Sequence, residues 1–334
     1  MKRTRGPTVL FGLGLASVVI ILASIATGSD GISWRALVDL FAVDDESLHA
    51  QVIQALRVPR VLTAFACGGL LALAGALMQV LFRNPLADPY ILGLAGGAGA
   101  GALLALAVGG GVMTALSGGW IGASLSLALL LWFGRSNFRS MIVQSQDDGH
   151  RLLLTGVALA SGWGAAITLV LALAPEAQLR GLVFWLMGDI DGAEGYGMPL
   201  ASLALVLAAA MLVARDLNVM CLGADAAHTL GVAVSRVRLV VVLLASAAAA
   251  VAVTTAGTIG FIGLIAPNAL RWWMGNDQRW LLPASTLAGG ILLTAADTIA
   301  RTAIAPLQLP VGAIVAVIGV PVFIMLVSRG KGAT

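Results

Sequence analysis

The chain has three histidines and two cysteines, and their placement argues against a metal site. His49, His150 and His228 are far apart, each in a segment expected to face water, and lack the close spacing that zinc requires. Cys67 falls in an apolar stretch and Cys221 in a polar one, so neither a disulfide nor a redox pair is expected. Gly330-Lys331 lacks the upstream glycine and the hydroxyl of a phosphate-binding loop, so ATP is not expected to bind here in that way. No acid lies deep in an apolar run; Asp297, at the end of one, comes nearest, which argues against a proton relay.

What remains is cationic. Arg57-Val58-Pro59-Arg60 and Arg301 lie at ends of apolar runs. Two uses are open for them: pairing with Asp297 or reaching lipid headgroups, and docking an acidic patch on a partner. Arg180 follows Pro175-Glu176 and precedes Phe184-Trp185-Leu186-Met187-Gly188-Asp189, a segment too short to span. Trp185 suits an interfacial aromatic belt, and Arg180 suits contact with an anionic solute at an entrance.

These residues must be held by something that lives in lipid. Of the 334 residues 59% are hydrophobic and 10% charged, against roughly 25% charged in a soluble domain. Uncharged runs of twenty and more exclude a β-barrel, whose strands alternate over about ten residues. The expected class is an all-α polytopic membrane protein, one domain over 1–334. Uncharged runs occupy 6–29, 61–82, 89–134, 152–175, 195–214, 239–270, 280–296 and 302–328. The 89–134 run is long enough for two spans turned near Gly109-Gly110-Gly111. The 239–270 run is split at Thr254-Thr255-Ala256-Gly257, where hydroxyls beside glycine permit a turn. Ten spans result. With both termini in the cytoplasm, 14 of the 19 Lys and Arg lie inside and Arg35, Arg57, Arg60, Arg180 and Arg301 outside, as the positive-inside rule asks. The apolar part of 1–29 exceeds a signal-peptide core, so it is expected to remain as the first span.

One polar island interrupts the later spans, Arg215 to Arg238. Its middle, Gly223-Ala224-Asp225-Ala226-Ala227-His228-Thr229-Leu230-Gly231, is expected to form a short helix bracketed by glycines, with Asp225 favouring its N-terminus. A lipid-resident chain gains nothing from such an island unless a water-side partner touches it. The stretch Arg83-Asn84-Pro85-Leu86-Ala87-Asp88-Pro89 is expected to be a tight hairpin, since two prolines forbid a continuing helix. Gly93, Gly96, Gly97, Gly99 and Gly101 open the third span at helix-packing spacing.

Six of these motifs together resemble the FecCD-type permeases, the membrane subunits of type II ATP-binding-cassette importers for iron-siderophores, haem and cobalamin. They are Arg57-Val58-Pro59-Arg60; Gly75-Ala76-Leu77-Met78-Gln79 through Pro89; Trp185-Leu186-Met187-Gly188; Leu222-Gly223 to Leu230-Gly231-Val232; Gly257-Thr258-Ile259-Gly260-Phe261-Ile262-Gly263 to Pro267; and Leu309-Pro310-Val311-Gly312. The resemblance implies ten spans, a dimer (here a homodimer) with the path between the halves, and no cofactor in this chain. Two cytoplasmic ATPase subunits, which bind the ATP and magnesium, would grip Leu222 to Gly231. A periplasmic solute-binding protein would dock on Arg57, Arg60 and Arg301. The expected place is the bacterial inner membrane, with lipid and no nucleic acid as surroundings. Haem is the preferred cargo on the strength of Arg180, ahead of a ferric siderophore, with cobalamin as the alternative and an ion-coupled carrier further off. The chain departs from the pattern in having Asn268, where such permeases commonly carry histidine, and in the aromatic Arg271-Trp272-Trp273.

Overall fold

Runs of Leu, Ala, Val and Ile offer the backbone neither water nor a competing side chain, so each run bonds its own N–H and C=O groups by winding into helix. The computed structural model describes residues 5–28, 31–32, 51–133, 147–190 and 195–330. His49, Arg35 and Lys331 lie outside these, as does the side chain of His150. The described residues contain thirteen α-helices: α1 Arg5–Ala26, α2 Val58–Leu81, α3 Leu94–Ala107, α4 Val112–Phe133, α5 Asp147–Leu173, α6 Glu176–Leu186, α7 Gly197–Leu212, α8 Ala214–Met220, α9 Ala224–Thr229, α10 Val234–Ala256, α11 Ile262–Met274, α12 Gln278–Thr302 and α13 Val311–Gly330. A π-turn, Ile53–Arg57, leads straight into α2, and a 3-10 turn, Pro89–Leu92, precedes α3. Beyond α1, Thr27–Gly28 pairs antiparallel with Gly31–Ile32.

α2 is the central post, buried along nearly its whole length against α12, α10, α11 and α7. Its partnership with α12 defines the two ends of the molecule. Arg60, at the start of α2, meets Asp297 near the end of α12. Asn218 and Cys221, which lead into α9, meet Gln278 at the start of α12. The 19 positions from Gln278 to Asp297 amount to about 28 Å of helix, close to the roughly 30 Å of a bilayer's hydrocarbon core. α1 begins beside Trp280, whose ring a side chain at Gly6 would strike, and finishes where Ser24 meets Arg301. α13 starts beside Gly188 and brings Phe323 and Leu326 to Asn84 and Pro85. Arg5 and Gly330 therefore lie at the end that carries α9.

Small residues set the closeness of packing. Gly97 and Gly101 on α3 face Gly122 and Gly118 on α4, and each fills the space that the other's side chain would need. Such close backbone approach is the usual adhesive between helices in lipid. The α3–α4 hairpin turns where expected: Gly109 adopts φ 84°, its N–H donates to the Leu106 carbonyl, and the Gly110 N–H donates to that of Ala105, a Schellman closure.

Helices α1–α5, α7 and α10–α13 fall on the ten expected spans. Six are long and apolar enough to cross a bilayer alone, and α7 with α8, bent by 58°, would make a seventh. α3, with 14 residues, α11, with 13, and the apolar part of α13, Val311–Leu326, are shorter. The reason is plainest at α11. The expected break is present: α10 ends at Ala256 and Gly257, with φ 71°, turns the chain. α11 then starts at the level of Gly75 on α2, inside the bundle, and needs only a partial crossing to reach the α9 end.

Candidate functional site

At the end remote from α9, one carboxylate gathers two arginines. Arg60 clasps Asp297 through Nε at 3.0 Å and Nη2 at 2.9 Å, both to Oδ1. It also donates to Oε1 of Gln308 at 3.2 Å. Arg301, one turn beyond Asp297, approaches Oδ2 at 3.7 Å and donates to the carbonyl and the hydroxyl of Ser24. Asp297 has no exposed surface, and the two arginine side chains are 12% and 11% exposed. Arg57 donates to the Ile25 carbonyl at 3.4 Å. Of the two uses left open by the sequence, pairing with Asp297 is the one the described residues display for Arg60 and Arg301. One acid thereby ties α1, α2 and α12 together.

Three of the motifs meet where α10 breaks. The Thr258 hydroxyl donates to the Leu186 carbonyl, and the Asp189 N–H donates to that of Ala256. The N–H groups of Val311 and Gly312 donate to the carbonyls of Gly188 and Met187. The C-terminal end of α6, the break and the start of α13 thus satisfy each other's loose backbone groups. Gly257 is required here, because a Cβ on it would strike the Trp185 carbonyl. Trp185 is half-buried at this junction, and Arg180 is exposed on α6.

On the inner side of the break, Tyr90 bridges both ways to Ile259: its hydroxyl accepts from the N–H at 2.7 Å and donates to the carbonyl at 3.1 Å. Gln79 donates to the Gly263 carbonyl at 3.0 Å. Its own amide oxygen accepts from Arg271 Nη1, which also donates to Asn268 at 2.8 Å, while Arg271 Nε donates to Asn276 at 3.1 Å. Asn268 in turn donates to the Pro85 carbonyl at 2.7 Å. These side chains and the hairpin after α2 surround a cavity of about 290 Å³, lined by Gln79, Val80, Arg83, Asn84, Pro85, Cys221, Arg271 and Asn276. Burial raises the Cys221 thiol above its ordinary range, with Arg271 and Arg83 pulling the other way. Asp88 does not line the cavity; it caps the 3-10 turn at the Tyr90 N–H, 2.9 Å away. Burial pushes its carboxyl up to about 6 despite that bond.

α9 forms the expected short helix. Gly223 enters with φ 121° and Gly231 leaves with φ 82°. The Gly231 N–H donates to the His228 carbonyl and the Val232 N–H to that of Ala227, the Schellman ending that a left-handed glycine permits. Ala227 is fully buried and pins the helix to the bundle, whereas Asp225, His228 and Thr229 are exposed. Leu222 and Leu230, at either end, are 67% and 65% exposed.

Asn218 and Asp277 anchor the approach to α9. Asn218 donates to Asp277 Oδ1 at 2.7 Å and accepts from the Gln278 N–H, while Asp277 caps α12 at the Arg279 N–H. Arg279 first, then Asn218, hold the Asp277 carboxyl down at about 2 from the ordinary 3.8, against the upward push of burial. A depressed folded value means a stabilising contribution that is complete above the unfolded value and disappears as pH falls through the folded one. The stability difference between wild type and Asp277→Asn is therefore expected to be constant from pH 8 to 5, to shrink below about 4 and to vanish near 2. Thermal unfolding in detergent across that range measures it, and a difference that grows on acidification contradicts the assignment.

Sequence reasoning did not bring Gln79, Arg271, Asn268 and Asn276 together; in the structure they form one network, buried at Gln79 and open to solvent at Asn276. The signal was present in the single amide, Gln79, near the end of an otherwise apolar span, and in Asn268, which stood out without a partner. What links them is a contact between α2 and α11, almost two hundred residues apart in sequence.

The FecCD transport family model matches residues 16–329. The hemin transport system permease protein of Yersinia pestis is 37% identical, covering 97% of this chain and 97% of its own. The cobalamin import system permease protein of Halobacterium salinarum is 37% identical over 93% of this chain and 84% of its own. The Fe(3+) dicitrate transport system permease protein of Escherichia coli is 34% identical over 98% and 99%. Among solved structures, one described as a metal-chelate type ABC transporter in an inward-facing conformation superposes with a TM-score of 0.84 at 30% identity, covering 97% of this chain and 99% of that one.

Proposed function

Because the chain belongs to the FecCD transport family, we propose that it is the membrane permease of an ATP-binding-cassette importer for an iron-containing chelate, haem before ferric siderophore. As in that family, ATP hydrolysis is the work of a partner subunit. The observation that supports the coupling assignment is α9. It is a short helix closed by Gly231 at the end where Arg5 and Gly330 lie, pinned by Ala227 and flanked by the exposed Leu222 and Leu230. In this proposal two cytoplasmic ATPases grip Leu222 to Gly231, and their closure on ATP tilts the helices of a homodimer in the inner membrane. The ten helices named above make the ten passes, both termini being cytoplasmic. Arg57, Arg60 and Arg301, two of them preset by Asp297, receive acidic residues of a periplasmic binding protein. That protein captures and selects the cargo, and Arg180 on each subunit meets the cargo's carboxylates at the outer entrance, with Trp185 below.

The experiment co-expresses the permease with its ATPase. Replacing residues 223–231 by a flexible linker is expected to abolish ATPase co-purification while leaving the permease inserted; full retention refutes the coupling assignment. In vesicles, binding protein loaded with haem is expected to stimulate ATP hydrolysis several-fold. A cobalamin reading has support in a relative of equal identity, and stimulation by cobalamin alone would establish it instead. Uptake without any ATPase would favour the ion-coupled carrier.

A further inference from the structure

The cavity under the hairpin after α2 is lined by two arginines, the exposed Arg83 and the half-buried Arg271, and by no carboxylate. Arg83 and Arg271 line it with Gln79, Asn84, Cys221 and Asn276, and neither arginine has an acidic partner among the described residues. The nearby acids are committed elsewhere, Asp88 to the Tyr90 N–H and Asp277 to Arg279 and Asn218. Arg271 uses Nε and Nη1 on three amide oxygens, and its Nη2 makes no hydrogen bond among the described residues. A half-buried cation supported only by neutral dipoles is the arrangement that an arriving anion completes.

Arg83 is held in place against its own preference. α2 ends in a Schellman motif: the Arg83 N–H donates to the Val80 carbonyl, and the Asn84 N–H to that of Gln79. That puts Arg83 at the left-handed position, φ 48°, where glycine is the easy choice. What arginine adds is reach, since its Nη1 lies about 3.5 Å from where a Cβ on Gly223 would sit, at the foot of α9. At about 290 Å³ the cavity falls at the lower limit of small-molecule pockets, about 300 Å³, a size suited to one inserted side chain.

We propose that this cavity seats a carboxylate side chain of the cytoplasmic ATPase subunit that grips α9, salt-bridged to Arg83 and Arg271. This rests on the coupling assignment above and adds to it a fixed electrostatic peg beside the helix. Charge complementarity chooses the occupant: a cationic cavity opening beside a partner's landing surface rejects lysine and takes aspartate or glutamate.

The native thiols supply the probe. Cys221 lines the cavity and Cys67 is buried, so modification of the folded chain reports on Cys221. In the isolated permease, an anionic methanethiosulfonate reagent is expected to react about tenfold faster than its cationic analogue, each rate corrected for its reaction with a free thiol. Arg83→Gly, which relieves the backbone and removes the charge, should bring that ratio close to one. Bound ATPase should slow Cys221 modification at least tenfold, and Arg83→Gly should weaken ATPase affinity about tenfold and flatten its salt dependence. Equal rates for the two reagents on wild type, or no protection in a complex that retains its ATPase, overturns the proposal. Failure of the ATPase to bind wild-type permease at all would instead refute the coupling assignment, which the linker variant of residues 223–231 tests separately.

Discussion

Leucine in place of Gly75 is expected to remove most of the folded protein from the membrane. Gly75 lies where α2 crosses the first turn of α11, and a Cβ there would come within 2.5 Å of the Gly263 Cα and nearer still to its carbonyl. The obstruction is backbone, so no rotamer change relieves it, and α11 must move away from α2. That movement would pull Gln79 from the Gly263 carbonyl and Tyr90 from Ile259, leaving buried polar groups without partners. Overpacking of this kind costs about 3 kcal/mol or more, a large part of a typical total of roughly 5–15. Gly14 on α1 has nothing within 4 Å of its would-be Cβ, so leucine there should be tolerated. The check is the amount of monodisperse protein extracted from membranes: a fall of more than about tenfold for Gly75→Leu and less than about twofold for Gly14→Leu. Equal yields would mean that α2 and α11 do not pack as described.

Alanine at Asp297 should be nearly as damaging, for the opposite reason. It adds no bulk and removes the one negative charge between Arg60 and Arg301. Two largely buried guanidinium groups would then face each other without the carboxylate they share. Breaking a buried pair in this way costs about 3–5 kcal/mol, which lowers the unfolding midpoint by roughly 10 °C. Asn should rank between Ala and wild type, since it can still accept from Arg60 Nε. Combining Asp297→Ala with Arg301→Met should recover part of the loss, because the second change removes a cation that the first has stranded. An alanine variant melting within about 2 °C of wild type would show that the arginines rely on other groups.

Most of the architecture was legible because lipid leaves the backbone so few options. Charge-free runs placed ten helices, a glycine triplet placed the turn at Gly109, and threonine hydroxyls beside a glycine placed the break at Gly257. The short helix between Gly223 and Gly231 needed only its two bracketing glycines. Pairing with Asp297 was one of the uses left open for the outer arginines, and the sequence alone could not choose between that and docking. The convergence of Met187, Gly188, Thr258 and Gly312 was not legible. Backbone-to-backbone bonds between broken segments leave no trace in side-chain type, and the three segments lie some seventy and fifty positions apart. The cavity beside Arg83 was hidden for a different reason, since it depends on a left-handed arginine that no propensity favours.

α12 touches both polar networks and passes α2 at Gly289, where the backbone of Gly68 blocks any side chain. From that crossing about 16 Å of helix runs toward Gln278 and about 12 Å toward Asp297. With Gly68 as a fulcrum, a tilt of α12 about that crossing would carry its two tips in opposite directions.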